Sequence, residues 1–67
     1  MNNREQLIEL ISNYKLERRE VAELVRTDRE TVDRWLLSAE GGRHLEIPDM
    51  AIELLRLKLA ARERPVA

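Results

Sequence analysis

The sequence predicts an all-α fold of four helices, and three features predict it. Leu, Glu, Arg and Ala, all good helix formers, dominate the composition, and the aromatic residues are only Tyr14 and Trp35. Two glycines and two prolines occur, none inside a periodic stretch. Apolar residues recur every three or four positions, the period of a helix with one buried face. At 67 residues the chain makes one domain, residues 1–67, of a size that buries a modest share of its surface. It has no cysteine, so tight helix packing or a second subunit must supply the stability that disulfides or thiolate-held metals give other small domains.

The first helix is read as starting at Asn3, a good N-cap, with Gln6 placed to complete a capping box. Leu7, Leu10, Ile11 and Tyr14 then form a core-facing stripe that Ile8 widens. The second helix spans about Glu17 to Val25, with Val21, Ala22, Leu24 and Val25 inward and Arg18, Arg19, Glu20 and Glu23 in water. Arg26-Thr27-Asp28 interrupts the pattern, and Thr27 with Glu30 repeats the capping-box signal, so a third helix follows after a tight turn. That helix runs from Asp28 or Arg29 to Ser38 on a stripe of Val32, Trp35 and Leu36. Ala39-Glu40-Gly41-Gly42 is read as its end, since glycine enters the left-handed conformation readily. The fourth helix opens at Ile47-Pro48, where proline is tolerated and Asp49 and Glu53 complement the dipole. It reaches about Ala61, leaving residues 62–67 as a frayed tail.

Formal net charge is −1 and the isoelectric point about 5.8, a balance that argues against strong general affinity for phosphate. Residues 1–40 hold 7 basic and 9 acidic side chains, and residues 41–67 hold 5 and 4. Any nucleic-acid binding must therefore rest on local geometry. No apolar run is long enough to span a bilayer or to serve as a signal-peptide core, so a cytoplasmic protein without a membrane partner is expected.

The informative segment is Arg18 to Leu37. Ala22 is small and central in the second helix, where a crossing helix must come close. Val32 follows ten residues later and Trp35 three beyond that, and with Val21 and Val25 they make a compact hydrophobic nucleus. A tight turn then holds the third helix across the second with its far face free. Residues 19–36, REVAELVRTDRETVDRWL, resemble the Cro/repressor-type (Xre-like) helix-turn-helix family. Members of that family usually carry glycine in the turn, where this chain has Arg26, and a hydrophobic residue next, where it has Thr27. A residue other than glycine can occupy a left-handed position there at a conformational cost. Residues 34–55, RWLLSAEGGRHLEIPDMAIELL, extend the resemblance to the short phage repressors called anti-CRISPR-associated proteins. The resemblance implies a dimeric transcriptional repressor of a small phage operon, binding an inverted repeat of double-stranded DNA.

Asp28, Arg29, Glu30, Asp33, Arg34 and Leu37 would face the groove on that reading. Arg29 and Arg34 are the candidates for bidentate base contacts, and Glu30 and Asp33 for accepting from cytosine or aiming an arginine. Thr27, Thr31, Arg18, Arg19, Arg26 and Arg43 are candidates for backbone phosphates. The competing reading is a solvated helix face, because Arg29–Asp33 and Glu30–Arg34 are opposite charges at i,i+4. His44, a lone histidine with no cysteine or second histidine, is read as solvent-exposed or as a backbone contact rather than a metal ligand.

The fourth helix is apolar over too wide an arc for one partner. Ile47, Ala51, Leu54 and Leu55 define one stripe. Met50, Ile52, Leu57, Leu59 and Ala61 are assigned to a homodimer interface. Catalysis is not expected: there is no cysteine nucleophile, Gly-rich phosphate loop or convergent Ser-His-Asp set, and no cofactor or small-molecule substrate is inferred. The alternative function is a small helical protein-binding module, an inhibitor or adaptor, which the acidic composition favours.

Overall fold

The computed structural model describes residues 2–38 and 40–63, and among them the chain is all-helical with no strand. Four helices follow in order: α1 Asn3–Tyr14, α2 Arg18–Leu24, α3 Arg29–Leu36 and α4 Asp49–Glu63. One core holds them, built from Leu7 and Leu10 of α1, Leu16 of the turn that follows, Val21 and Ala22 of α2, Val32 and Trp35 of α3, Ile47 ahead of α4, and Ile52, Leu55 and Leu59 of α4. Ile11, Tyr14, Leu24, Val25, Leu36 and Ala51 pack around it partly buried. No described helix is long and apolar enough to cross a membrane.

The helix starts are shifted by one residue from the sequence reading at two places. Asn2, not Asn3, caps α1, its side-chain oxygen accepting the Glu5 N–H at 2.8 Å. Asn3 is drawn off to α4, where its amide donates to the Ile47 carbonyl at 2.8 Å and to the Asp49 carboxylate at 2.7 Å. Asp28, not Thr27, caps α3 by accepting the Thr31 N–H at 2.8 Å. Thr27 is occupied in closing α2, its N–H donating to the Ala22 carbonyl at 2.9 Å.

Both α1 and α2 end on a left-handed residue that is not glycine: Lys15 at φ 53° and Arg26 at φ 61°. Leu16 N–H then reaches Ile11 O at 3.0 Å, and Arg26 N–H reaches Glu23 O at 3.4 Å beside the Thr27 bond. At α2 these are the paired back-bonds of a Schellman ending, and at α1 the Lys15 and Leu16 N–H groups both reach Ile11 O; each satisfies carbonyls the helix leaves open. Arg26 thus holds the left-handed turn conformation for which the sequence supplies no glycine.

The end of α3 departs further from expectation. It stops at Leu36 with Leu37 extended (φ −64°, ψ 155°), and no described glycine has positive φ, so Gly41 and Gly42 do not terminate it. Ala39 lies outside the described residues. Arg4 of α1 closes the helix instead, its guanidinium donating to Leu36 O at 3.1 and 3.2 Å and to Leu37 O at 3.0 Å. Leu45 N–H bonds Arg34 O at 3.2 Å, and the His44 ring lies 2.9 Å from Leu37 O. Lys58 of α4 does the same for α2, its ammonium donating to Leu24 O. A cation from another helix at a C-terminus meets the negative end of the dipole and an orphan carbonyl together.

Helix α4 starts at Asp49 and continues through Glu63, two residues beyond the expected end, and Arg62 lies 3.8 Å from Glu20. Residues 62 and 63 are therefore helical, and the rest of the expected tail, 64–67, lies outside the described residues. Ile52 and Leu59, assigned to a dimer interface, are 4% and 0% exposed in the chain's own core. They sit at the spacing of Leu55 on one face of α4 and are not available to a partner.

Replacing Arg26 by glycine removes the Cβ penalty of the left-handed turn. It should raise the unfolding free energy by about 0.5–1 kcal/mol, measured from the urea midpoint, after the added freedom of the unfolded chain is deducted. A β-branched residue at the same position, Arg26→Val, should lower that midpoint.

Candidate nucleic-acid interface

The outer face of α3 follows from what its inner face must bury. Val32 and Trp35 are 0% and 6% exposed and point to α2 and the core. A helical turn places Glu30, Arg34 and Leu37 on the opposite side, and all three are exposed, as is Arg29 on the flank. Arg34 and Glu30 form an i,i+4 ion pair at 3.8 Å, as their spacing predicts. The second expected pair does not form. Asp33 turns to the start of α2, where Arg18 donates to its carboxylate at 2.8 Å, and Arg29 has no carboxylate partner among the described residues.

The expected phosphate contacts divide. Arg18, Arg19, Arg26 and Arg43 are exposed. Arg43 belongs to the loop that the Leu45–Arg34 hydrogen bond holds against the last turn of α3. Arg19 stands 3.9 Å from Glu23, a pair open to water on both sides and worth little. Thr27 and Thr31 are half-buried. Thr31 donates its N–H to the Asp28 carboxylate at 2.8 Å.

Two positioning residues carry no local signature in the sequence. Arg4 fixes the C-terminal end of α3 from α1, across 32 residues of chain, and His44 adds a second contact to the same end. The His44 side chain is only 6% exposed, which decides between the two expected roles in favour of the backbone contact. No cluster of metal-ligating side chains occurs among the described residues.

The electrostatics of the site are those of tethered arginines. The carboxylates of Asp28, Glu30 and Asp33 each engage a neighbour, so the face combines two guanidiniums held in place, Arg18 and Arg34, with Arg29, which has no carboxylate partner among the described residues. The chain matches no known protein family, no curated protein and no solved structure.

Asp28 is held below the ordinary aspartate range, first by the Thr31 hydroxyl and then by the Thr31 N–H, with a smaller pull from Arg34. A carboxylate with a depressed folded value contributes stability above its unfolded pKa of about 3.9 and loses it as pH falls through the lower folded value. Asp28→Ala should therefore lower the urea midpoint at neutral pH, and the gap from wild type should close as the pH is taken below that lowered folded value. A gap that persists there would show that the cap does not act through the ionised carboxylate.

Proposed function

We propose that this chain is a sequence-specific DNA-binding transcriptional repressor of the Cro/repressor helix-turn-helix type, acting as a homodimer on an inverted-repeat operator. The observation that carries this reading is the α2–turn–α3 unit. Val21, Ala22, Val32 and Trp35 are buried between the helices, Arg26 takes a left-handed turn at φ 61°, and the face of α3 bearing Arg34 is free. A helix held this way can enter a major groove, where an arginine bonds guanine O6 and N7 together. Repression by occupying a promoter needs no cofactor, and none is proposed. The resemblance of residues 34–55 supports an autorepressor of a phage or anti-CRISPR operon as the biological setting.

Homodimerisation is supported by the side of α4 turned away from the core. Met50 and Leu57 are 77% and 69% exposed, Ala61 is exposed and Leu54 half-buried. Residues 50, 54, 57 and 61 are spaced four, three and four apart, the seam along which two helices pack. A two-fold dimer would bring two copies of α3 to half-sites about 34 Å apart.

The net charge of −1 and the three carboxylates along α3 favour a second reading, a helical module that binds protein. Selection of bound duplexes from a random DNA library at moderate salt separates the two. An inverted repeat supports the repressor, whereas no enriched sequence from folded, dimeric protein supports the protein-binding module. On the selected operator, Arg34→Ala should cost about 1–3 kcal/mol and relax the preference at one base pair. Sedimentation equilibrium tests the dimer: Leu57→Glu should give monomers with unchanged helical content, and a dimer that survives it would remove α4 from the interface.

A further inference from the structure

A cleft of about 800 Å³ opens between α1, the start of α2 and the flank of α3, on the side of α3 next to its outer face. Ile8, Ile11, Leu16 and Leu36 line it with hydrocarbon. Ile8 sits on α1 beside the core stripe yet remains 41% exposed, because it stands at the wall of this opening rather than inside the core. Arg18, Arg19 and Arg29 line the same cleft, facing Glu17 as its one acidic residue. Arg18 is shared with Asp33 and Arg19 with Glu23, whereas Arg29 has no carboxylate partner among the described residues.

The volume falls in the range of small-molecule sites, which pair an apolar lining with a few polar groups that orient the ligand. An apolar floor beneath an excess of guanidiniums complements one chemistry: an acid group joined to a compact apolar body. Guanidinium binds carboxylate, sulfonate or phosphonate oxygens in a bidentate fork, and the hydrocarbon lining receives the rest. We propose that this cleft binds a small amphipathic organic anion, with Arg29 as the main anchor of its acid group. A consequence, which rests on the DNA reading above, is antagonism. Arg18 and Arg29 are candidate DNA contacts, so an acid group that occupies them competes with the operator.

Titration of the full chain with anilinonaphthalene sulfonate, a fluorescent amphipathic anion, tests the site without DNA. Saturable binding should weaken by about tenfold in Arg29→Gln, the size of one charge-assisted hydrogen bond, and similarly with the neutral analogue phenylnaphthylamine. Ile8→Gln should also weaken it, and because both residues are exposed, circular dichroism should show helical content unchanged. Leu45→Gln, an exposed leucine outside the cleft lining, should bind the dye as wild type does. Absence of binding, indifference to both Arg29→Gln and Ile8→Gln, or loss in Leu45→Gln would each overturn the site. With the selected operator in hand, saturating dye should release the duplex, and a duplex that stays bound would overturn the antagonism. If no operator is found, the dye titration still decides the site, and the DNA reading fails separately.

Discussion

The close approach of α2 and α3 at Ala22 is the constraint on which the rest of the molecule depends. Ala22 and Val21 are 4% and 0% exposed against Val32 at 0%. Protein interiors are packed as densely as organic crystals, so a longer side chain at Ala22 would push α3 outward rather than find room. The same residue supplies the carbonyl that Thr27 N–H bonds, so the packing point and the turn are joined through one backbone unit. Once that turn is closed with Arg26 left-handed, α3 has little freedom to rotate, and the identity of its outer face is settled by which residues it buries.

The remaining helices hold that arrangement from outside. Two helices of seven and eight residues are too short to be stable alone. Leu7 and Leu10 of α1 and Ile52, Leu55 and Leu59 of α4 provide the apolar surface they lack. The clamp is also polar. Arg4 from α1 and Lys58 from α4 each donate to carbonyls at the end of a different short helix. Each pairs a long side chain, whose methylenes can lie on apolar surface, with a carbonyl that would otherwise need water. Helix α4 is therefore two-sided for a physical reason: one face is consumed by the core, and Met50, Leu57 and Ala61 are what is left over.

The apolar periodicity made the four helices and most of the core legible, because burial on one face leaves a repeat that any reader of the sequence can count. Cap positions were less legible. Asn2 and Asn3, and likewise Thr27 and Asp28, are adjacent residues that can each accept from a helix amide. The choice is made by distant groups: α4 claims Asn3, and the carbonyl of Ala22 claims Thr27. Asp33 shows the same thing at the site, since its i,i+4 partner Arg29 was visible in the sequence and its actual partner Arg18 lies 15 residues away. The width of the apolar arc on α4 was visible too, but not which part of it faced inward. Ile52 and Leu59 belong to the core with Leu55, on the side of α4 packed against α1 and α2.

The carboxylates on α3 bear directly on how such a face can select a target. Asp28 occupies the Thr31 amide at the start of the helix, where an anion would otherwise bind without regard to sequence. Asp33 and Glu30 hold Arg18 and Arg34 in pairs that are open to water and individually weak. On the proposed function, indiscriminate phosphate binding must displace these internal partners for little return, and a chain of net charge −1 gains no general attraction to offset that. A matched operator offers each arginine a bidentate partner in place of a weak monodentate one. Carboxylates beside a groove-facing arginine thus lower affinity for every duplex while lowering it least for the right one. If the proposed function holds, specificity would in this way come from the same residues that make the face look unsuited to DNA.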